Sequence, residues 1–173
     1  MNALEIRGLT KRRGDFALQG LDLTLPAGCI MGLIGENGAG KSTTIRLILN
    51  GLRRDGGTIA VYGKDNRAMA ALDREDIGVV LDEVGLPEYM NAQQIGRMMA
   101  GIFTRWQPEA YRGYLRRLAL PEDKPFRDFS RGMKMKLGLA AALRHQPNLL
   151  LLDEATSWLD PVDRDAILTI IAA

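Results

Sequence analysis

The chain has 173 residues, of which 46% are hydrophobic and 25% charged, and this composition excludes a disordered or a fibrous protein. Its 23 basic and 21 acidic side chains give a net charge of +2, too even a balance for a protein whose main partner is nucleic acid. No apolar run in the sequence reaches the roughly 20 residues needed to span a bilayer, so work at a membrane requires another chain to cross it.

The first 60 residues predict strands, a glycine-rich loop and a helix. Alternating apolar residues in 4–9 and 16–25 predict two antiparallel strands. The continuous apolar run CIMGLIG, residues 29–35, instead predicts a strand covered on both faces of a parallel sheet, with Cys29 buried in it. A helix follows the loop, and the segment RRDGGTIAVYG predicts a turn and a returning strand.

The remaining chain predicts two more buried strands separated by helices. The strands are IGVVL, residues 77–81, and NLLLLDE, residues 148–154. Between them, helices are predicted after a cap at Asn91, from Pro108, and from Ser130 to a point before the next proline. The organisation is therefore an α/β core interrupted by a helical insertion.

The loop GENGAGKST has the spacing of a phosphate-binding loop between a strand and a helix. Its glycines let successive backbone N–H groups point inward, at the positive end of the following helix. Lys41 would neutralise the outer phosphates of a nucleotide, and the Ser42 hydroxyl would complete the shell of a Mg²⁺ ion. The predicted nucleotide-binding residues here are Gly35, Glu36, Asn37, Gly38, Ala39, Gly40, Lys41, Ser42 and Thr43.

Two adjacent acids end the last predicted strand. Asp153 stands at its carboxyl end, where open parallel sheets place their ligands, and can hold Mg²⁺ through water. Glu154 can polarise an attacking water, which favours a hydrolase over a kinase, although two acids that cap a helix are the alternative. The guanine-reading pattern NKxD does not occur in the sequence, and this counts against a GTPase.

The stretch from 128 to 160 carries a resemblance to a known family. Residues 129–133, FSRGM, stand where ATP-binding subunits of ABC transporters have their signature, usually LSGGQ; Ser130 and Gly132 are retained, and the other positions, including Arg131, are altered. Residues 157–160, SWLD, resemble the D-loop of that family. With the two preceding motifs in the same order, the chain resembles that family over nearly its whole length. The resemblance implies an α/β P-loop NTPase with a RecA-like parallel core, an N-terminal antiparallel β region and an inserted helical subdomain. The core would comprise 1–82 and 147–173, and the subdomain 83–146.

The resemblance also implies partners. Ser130 and Gly132 of one subunit would face an ATP molecule held by a second subunit, in a head-to-tail dimer that encloses two ATP. In that second subunit, Lys41 would contact the phosphates, Asp153 would hold the Mg²⁺ ion and Glu154 would polarise the water. ATP hydrolysis would drive a separate transmembrane permease from the cytoplasmic face of the membrane, and no nucleic acid is expected. The sequence of the signature segment resembles that of bacterial export-type members.

Three positions depart from the family pattern. Asp82 replaces a glutamine that touches Mg²⁺; it can ligate the ion through an oxygen, or form a surface acid pair with Glu83. Arg13 replaces the aromatic residue that stacks on adenine, and either its guanidinium or Phe16 can take that role, unless Arg13 is merely solvated. The family has a switch histidine on the strand after the D-loop, whereas His145, the only histidine in the sequence, precedes the strand of Asp153. His145 is instead expected at a helix C-terminus, where its charge would favour the helix dipole, without a catalytic part.

Two other functions remain open at this point. A soluble ABC-type ATPase acting on nucleic acid or ribosomes is one, although the chain has a single cassette and no sustained heptads. A regulatory module that binds nucleotide without hydrolysis is the other, and the three departures favour it. The chain ends 19 residues after Glu154, 173 minus 154, so we expect a piece of a longer protein with weak hydrolysis of its own.

Overall fold

A computed structural model describes residues 1–154 and 161–171 of the chain. The chain falls into two compact units, Met1–Arg74 and Glu75–Ala173. The described residues form a sheet of four strands in the first unit and a sheet of two strands in the second.

The first unit is built on antiparallel strands. Its elements in chain order are β1 (Asn2–Arg13), β2 (Phe16–Pro26), α1 (Lys41–Ile48), β3 (Gly56–Val61), β4 (Lys64–Asp65) and α2 (Ala71–Arg74). The strand order is β2-β1-β3-β4, with every neighbouring pair antiparallel. The predicted hairpin, the helix after the glycine loop and the returning strand are therefore confirmed.

Strand β1 keeps its large apolar side chains on one buried face by means of a bulge. Ile6 is 1% exposed and Leu9 is 0% exposed, although strict alternation would place them on opposite faces. Between them the register of the β1 and β2 pair shifts by one residue, and Gly8 has a φ of +55°. The extra residue returns Leu9 to the face where Ile6 packs, because a bulge breaks the period of two.

A buried polar network holds the end of α1. The Asn66 side chain donates to the carbonyl oxygens of Leu47 and Ile48 at 2.7 and 3.0 Å, and so satisfies two groups that a helix C-terminus leaves without partners. Arg54, 7% exposed, donates to the Asn66 side chain and, at 2.6 Å, to Asp65. The helix that follows the glycine loop is therefore fixed at its far end.

The second unit combines a short parallel sheet with helices. Its elements are β5 (Ile77–Val80), α3 (Ala92–Ala100), α4 (Pro108–Arg117), a 3₁₀ turn (Phe126–Asp128), α5 (Arg131–Leu143), β6 (Leu149–Leu152) and α6 (Pro161–Ile171). Strands β5 and β6 pair in parallel, as predicted. Strand β6 alternates buried and half-buried residues, so the prediction that it is buried throughout is wrong.

Local signals place the helices of this unit correctly. Asn91 and Gln94 form a reciprocal capping box at the start of α3, and Pro108 opens α4. Ser130 caps α5, which ends before the proline. The helices bury a shared apolar core that includes Ile95, Tyr111, Leu115, Phe126, Met135, Leu137 and Leu139.

The predicted strand at 29–35 is wrong. These residues carry no regular secondary structure, and Ile30 and Ile34 are 82% and 96% exposed. Cys29, predicted to be buried, is exposed as well. An apolar run shows a tendency to be covered, but a strand forms only where a neighbouring strand accepts its backbone hydrogen bonds. In the described parts of the chain, neither sheet includes this segment.

No helix among the described residues is both long and apolar enough to cross a membrane. The predicted division into a core of 1–82 with 147–173 and a helical subdomain of 83–146 stays a prediction.

Candidate functional site

The glycine loop begins at the exposed Gly35 and turns sharply before α1. The Ala39 N–H donates to the Glu36 carbonyl at 3.1 Å, which closes the turn. Gly38 and Gly40 have φ angles of +87° and +96°, a region that side chains with a Cβ rarely adopt. Gly40 is also the residue that caps α1, so the left-handed backbone leads directly into the helix N-terminus.

Lys41 folds back over this loop. Its Nζ donates to the carbonyl oxygens of Gly35 at 2.7 Å and Glu36 at 2.9 Å. The ammonium group is therefore held at the loop by neutral acceptors, which a phosphate oxygen can replace with a stronger charged bond. The loop, the lysine and the first turn of α1 place positive charge and N–H donors together, an arrangement that binds anions.

The first turn of α1 supplies hydroxyl groups. Thr44 is 3% exposed, and both its N–H and its Oγ1 donate to the Gly40 carbonyl, at 2.8 and 2.9 Å. Ser42 and Thr43 precede it and are half-buried. The predicted loop residues thus lie in one continuous segment, with Asn37 on its exposed part.

The tip of the β1 and β2 hairpin reaches the same loop. Arg13 and Phe16 are cross-strand partners at the tip. A Cβ built on Gly40 would lie 2.7 Å from the Phe16 Cζ, so the phenyl ring rests directly on the glycine that opens α1. An aromatic ring therefore lies on the phosphate-binding segment, and its cross-strand neighbour Arg13 is exposed at the hairpin tip. The sequence left the two residues as alternatives for the base, and the structure places the Phe16 ring against the loop.

The acidic residues lie at the carboxyl edge of the parallel sheet in the second unit. The Asp153 N–H donates to the Val80 carbonyl at 2.9 Å, which extends the ladder between β5 and β6 by one step. Asp153 is 7% exposed, and the next residue, Glu154, is exposed with a φ of +52°. Asp82 follows β5 at the same edge. Positive φ at a residue other than glycine costs about 1–2 kcal/mol.

The signature segment forms the N-terminus of α5. The Ser130 Oγ accepts a hydrogen bond from the Met133 N–H at 3.2 Å, while Ser130 itself is exposed. Gly132 is half-buried in the first turn of the helix. Arg131, between them, donates to Asp82 Oδ1 at 2.5 Å. This end of the helix has exposed polar groups and a cation, as a site for an anion requires.

The Mg²⁺ ligands that the sequence predicted are chemically suitable. Ser42 and Asp153 offer a hydroxyl and a carboxylate oxygen, and hard cations such as Mg²⁺ take oxygen ligands. The described residues form no cluster of three or more His, Cys, Asp or Glu side chains that would by itself hold a metal. The predicted D-loop, 157–160, lies outside the described residues.

His145 differs from the prediction. It follows the C-terminus of α5, as expected, but it is 2% exposed and stacks on Phe103 with ring centroids 4.8 Å apart. Burial, and then the adjacent Arg144 cation, lower the pKa of His145 to about 4. The imidazole is therefore neutral at pH 7, so it adds no charge at the helix end, and the expected dipole interaction is absent.

Sequence reasoning missed Arg144, which is 1% exposed. Its guanidinium lies 4.0 Å from the Trp106 ring centroid and 4.9 Å from that of Phe103. Burial lowers the pKa of Arg144 to about 10. The burial of Arg144 could not be predicted from its place after an apolar helix, because its two aromatic partners lie about 40 residues earlier in the chain.

Comparison with known proteins shows the family of the chain. Residues 18–157 match the family model described as ABC transporter. The chain is 38% identical over 180 residues to the daunorubicin/doxorubicin resistance ATP-binding protein DrrA of Streptomyces peucetius, a match that covers 99% of this chain and 54% of that protein. It is 32% identical over 166 residues to the bacitracin transport ATP-binding protein BcrA of Enterococcus faecalis, covering 92% and 53%. The chain thus spans about half the length of these relatives.

Solved structures agree on the fold. An ATP-binding subunit of an ABC transporter matches with a TM-score of 0.88 at 27% identity, covering 98% of this chain and 73% of that one. An ATP-binding cassette solved as a dimer in a post-hydrolysis state, with ADP and phosphate, matches with a TM-score of 0.84 at 18% identity, covering 97% and 81%. The predicted α/β P-loop NTPase fold is confirmed. With a family match over most of its length and relatives above 30% identity, the chain belongs to the ATP-binding proteins of the ABC transporter family.

Proposed function

We propose that this chain binds ATP with Mg²⁺ and hydrolyses it to power a separate transmembrane permease. The observation that carries the proposal is the phosphate-binding segment, where Lys41 Nζ bridges the Gly35 and Glu36 carbonyls at the N-terminus of α1. A loop of this shape has little use other than holding an anion, and a triphosphate supplies one of the right charge and length.

Each predicted residue has a part in this proposal. Backbone N–H groups of the loop bind phosphate oxygens, and Lys41 neutralises charge as it leaves the Gly35 and Glu36 carbonyls. Ser42 and Asp153 would hold Mg²⁺, which supplies further neutralisation of the phosphate charge when bound. Glu154 orients and polarises the attacking water, since its carboxylate is exposed just after β6, next to Asp153.

The residues proposed to contact adenine differ from those that the family pattern implies. Phe16 rests on Gly40, and Arg13 is its cross-strand partner. We assign adenine stacking to Phe16, with Arg13 adding a cation at the ring or at the phosphates. An aromatic face suits any base, so this contact supplies affinity without strong selectivity.

The assembly is part of the proposal. Ser130 and Gly132 would close the nucleotide site of a second subunit in a head-to-tail dimer, and the permease would hold the pair at the cytoplasmic face of the membrane. Relatives named for drug resistance and for bacitracin transport support an export-type system. The transported substrate would be selected by the permease.

ATP turnover by the purified chain tests the proposal. We expect Mg²⁺-dependent phosphate release that falls by at least about 100-fold in Glu154→Gln while ATP binding persists, because the variant keeps the loop and loses the general base. Lys41→Ala should lose both binding and turnover. A wild-type rate equal to that of Glu154→Gln would reject hydrolysis, and copurification with RNA rather than with a hydrophobic membrane chain would reject the transport role.

A further inference from the structure

Two departures from the family pattern contact each other in the second unit. Asp82 stands where the family has glutamine, and Arg131 stands inside the signature, where the family usually has glycine. The two are 49 residues apart in sequence, and Arg131 Nη2 lies 2.5 Å from Asp82 Oδ1. The ion pair joins the segment after β5 to the first residue of α5.

This pair contributes little to stability. The side chains of Arg131 and Asp82 are 49% and 40% exposed, and exposed pairs contribute about 0–1 kcal/mol. The position of the ion pair explains it better than stability does. Arg131 occupies the first turn of α5, where the helix dipole disfavours a cation, and no acidic residue stands in that turn. Asp82 supplies the missing negative charge from another segment.

The same carboxylate is poorly suited to Mg²⁺. A divalent cation on Asp82 would lie within a few ångströms of the Arg131 guanidinium, and like charges at such distances repel by about 1 kcal/mol or more even in water. Asp153, at the end of β6, offers a carboxylate of its own at this edge of the sheet.

We propose that Asp82 is a positioning residue for Arg131 and not a ligand of Mg²⁺. Asp82 holds the guanidinium beside Ser130 and Gly132, so that the N-terminus of α5 presents a fixed positive charge to the terminal phosphate of ATP bound by the second subunit. This inference rests on the proposed function, because it assumes a nucleotide shared between two copies of the chain.

The charges give a specific pattern of effects. Without Arg131, the negative charge of Asp82 remains next to an anion site, so the loss exceeds that of the cation alone. Without Asp82, the guanidinium keeps its charge and loses its fixed orientation. With both removed, the repulsion is gone as well, and the double variant binds better than the single Arg131 variant.

The test measures ATP-dependent dimerisation of the chain by sedimentation, in a Glu154→Gln background that retains ATP. We expect Arg131→Gln to raise the half-maximal ATP concentration about tenfold and Asp82→Asn about threefold, whereas the double variant returns to within about threefold of the parent. Arg131→Lys should raise the half-maximal ATP concentration less than Arg131→Gln does, because lysine keeps the positive charge. The Mg²⁺ concentration for half-maximal dimerisation should stay within about twofold in Asp82→Asn.

Two outcomes overturn the inference alone. One is a Mg²⁺ requirement that rises about tenfold in Asp82→Asn, and the other is a double variant whose defect is the product of the single defects. Both leave the proposed function intact if the parent still binds ATP and dimerises. A parent that fails to bind ATP, or binds it only as a monomer, overturns the proposed function, and the inference with it. Circular dichroism and urea unfolding of each variant exclude misfolding as the cause.

Discussion

Replacing Gly40 by alanine should damage the phosphate-binding loop for two separable reasons. The backbone at Gly40 has a φ of +96°, which an L residue adopts at a cost of about 1–2 kcal/mol. The new Cβ would also lie 2.7 Å from Phe16 Cζ and 3.1 Å from Cε2, and overpacking of this kind costs about 1–3 kcal/mol. The sum is about 2–5 kcal/mol, a large part of the stability of a small protein.

Two matched variants separate the backbone cost from the packing cost. Gly28 has a φ of +76° and nothing within 4 Å of its Cβ position, so Gly28→Ala should show the backbone term alone, about 1–2 kcal/mol. In a Phe16→Ala background the ring is gone, and Gly40→Ala should then cost no more than Gly28→Ala does. Urea unfolding of the five proteins gives each free energy.

Nucleotide binding provides the functional measurement. If the loop moves to relieve the strain at Gly40, a loss of about 1.4 kcal/mol in the binding free energy of ATP weakens the affinity tenfold. We expect that loss in Gly40→Ala and none in Gly28→Ala, which lies outside the loop. A Gly40→Ala protein within about 0.5 kcal/mol of wild type, with unchanged ATP affinity, would refute the left-handed loop and its contact with Phe16.

Three further predictions concern the second unit. Asn91→Ala removes the side-chain acceptor for the Gln94 N–H at 2.9 Å, and should cost about 1 kcal/mol in urea unfolding, whereas Gln93→Ala on the same turn loses only an exposed hydrogen bond to Glu122 and should cost less than about 0.5 kcal/mol. The pKa of His145 is about 4 in the folded chain and 6.5 in an unfolded one, so the contribution of His145 to stability should be constant above pH 7 and fall by about 3 kcal/mol from pH 6.5 to 4, as the unfolded state takes up the proton. His145→Gln should remove that slope, and a slope that persists would assign it to other groups such as Glu75. Arg144→Met should cost less than about 1.5 kcal/mol because it fills the same volume, whereas Arg144→Ala should cost about 3 kcal/mol, and equal costs would show that the charge matters more than the packing.

Local chemistry allowed most of the elements to be predicted. A cap at Asn91, a proline at the start of α4 and a serine before α5 each fix a helix end through atoms within four residues. The alternation in β1 and β2 likewise reports burial of one face. The phosphate loop could be predicted for the same reason, because its glycines, lysine and serine are contiguous.

Features that depend on distant residues could not be predicted. The apolar run at 29–35 carries the right composition for a strand, but composition does not name the neighbour that a strand needs. Arg131 and Asp82 each looked like an isolated departure from the family pattern, and only the folded chain brings them to 2.5 Å. The ring of Phe16 on Gly40 is another such contact, between residues 24 positions apart.

Glu154 shows why the candidate site is harder to predict than the scaffold that carries it. Nothing in the sequence indicates a φ of +52° there, since glutamate does not favour that region. The N–H of the preceding residue, Asp153, donates to the Val80 carbonyl at 2.9 Å, and the backbone turns to a positive φ at the next residue. Strain of about 1–2 kcal/mol persists only where the surroundings impose it, and it is concentrated at functional positions. A glycine would occupy this position with less strain but would carry no carboxylate, so the positive φ of Glu154 is consistent with the catalytic part proposed for it.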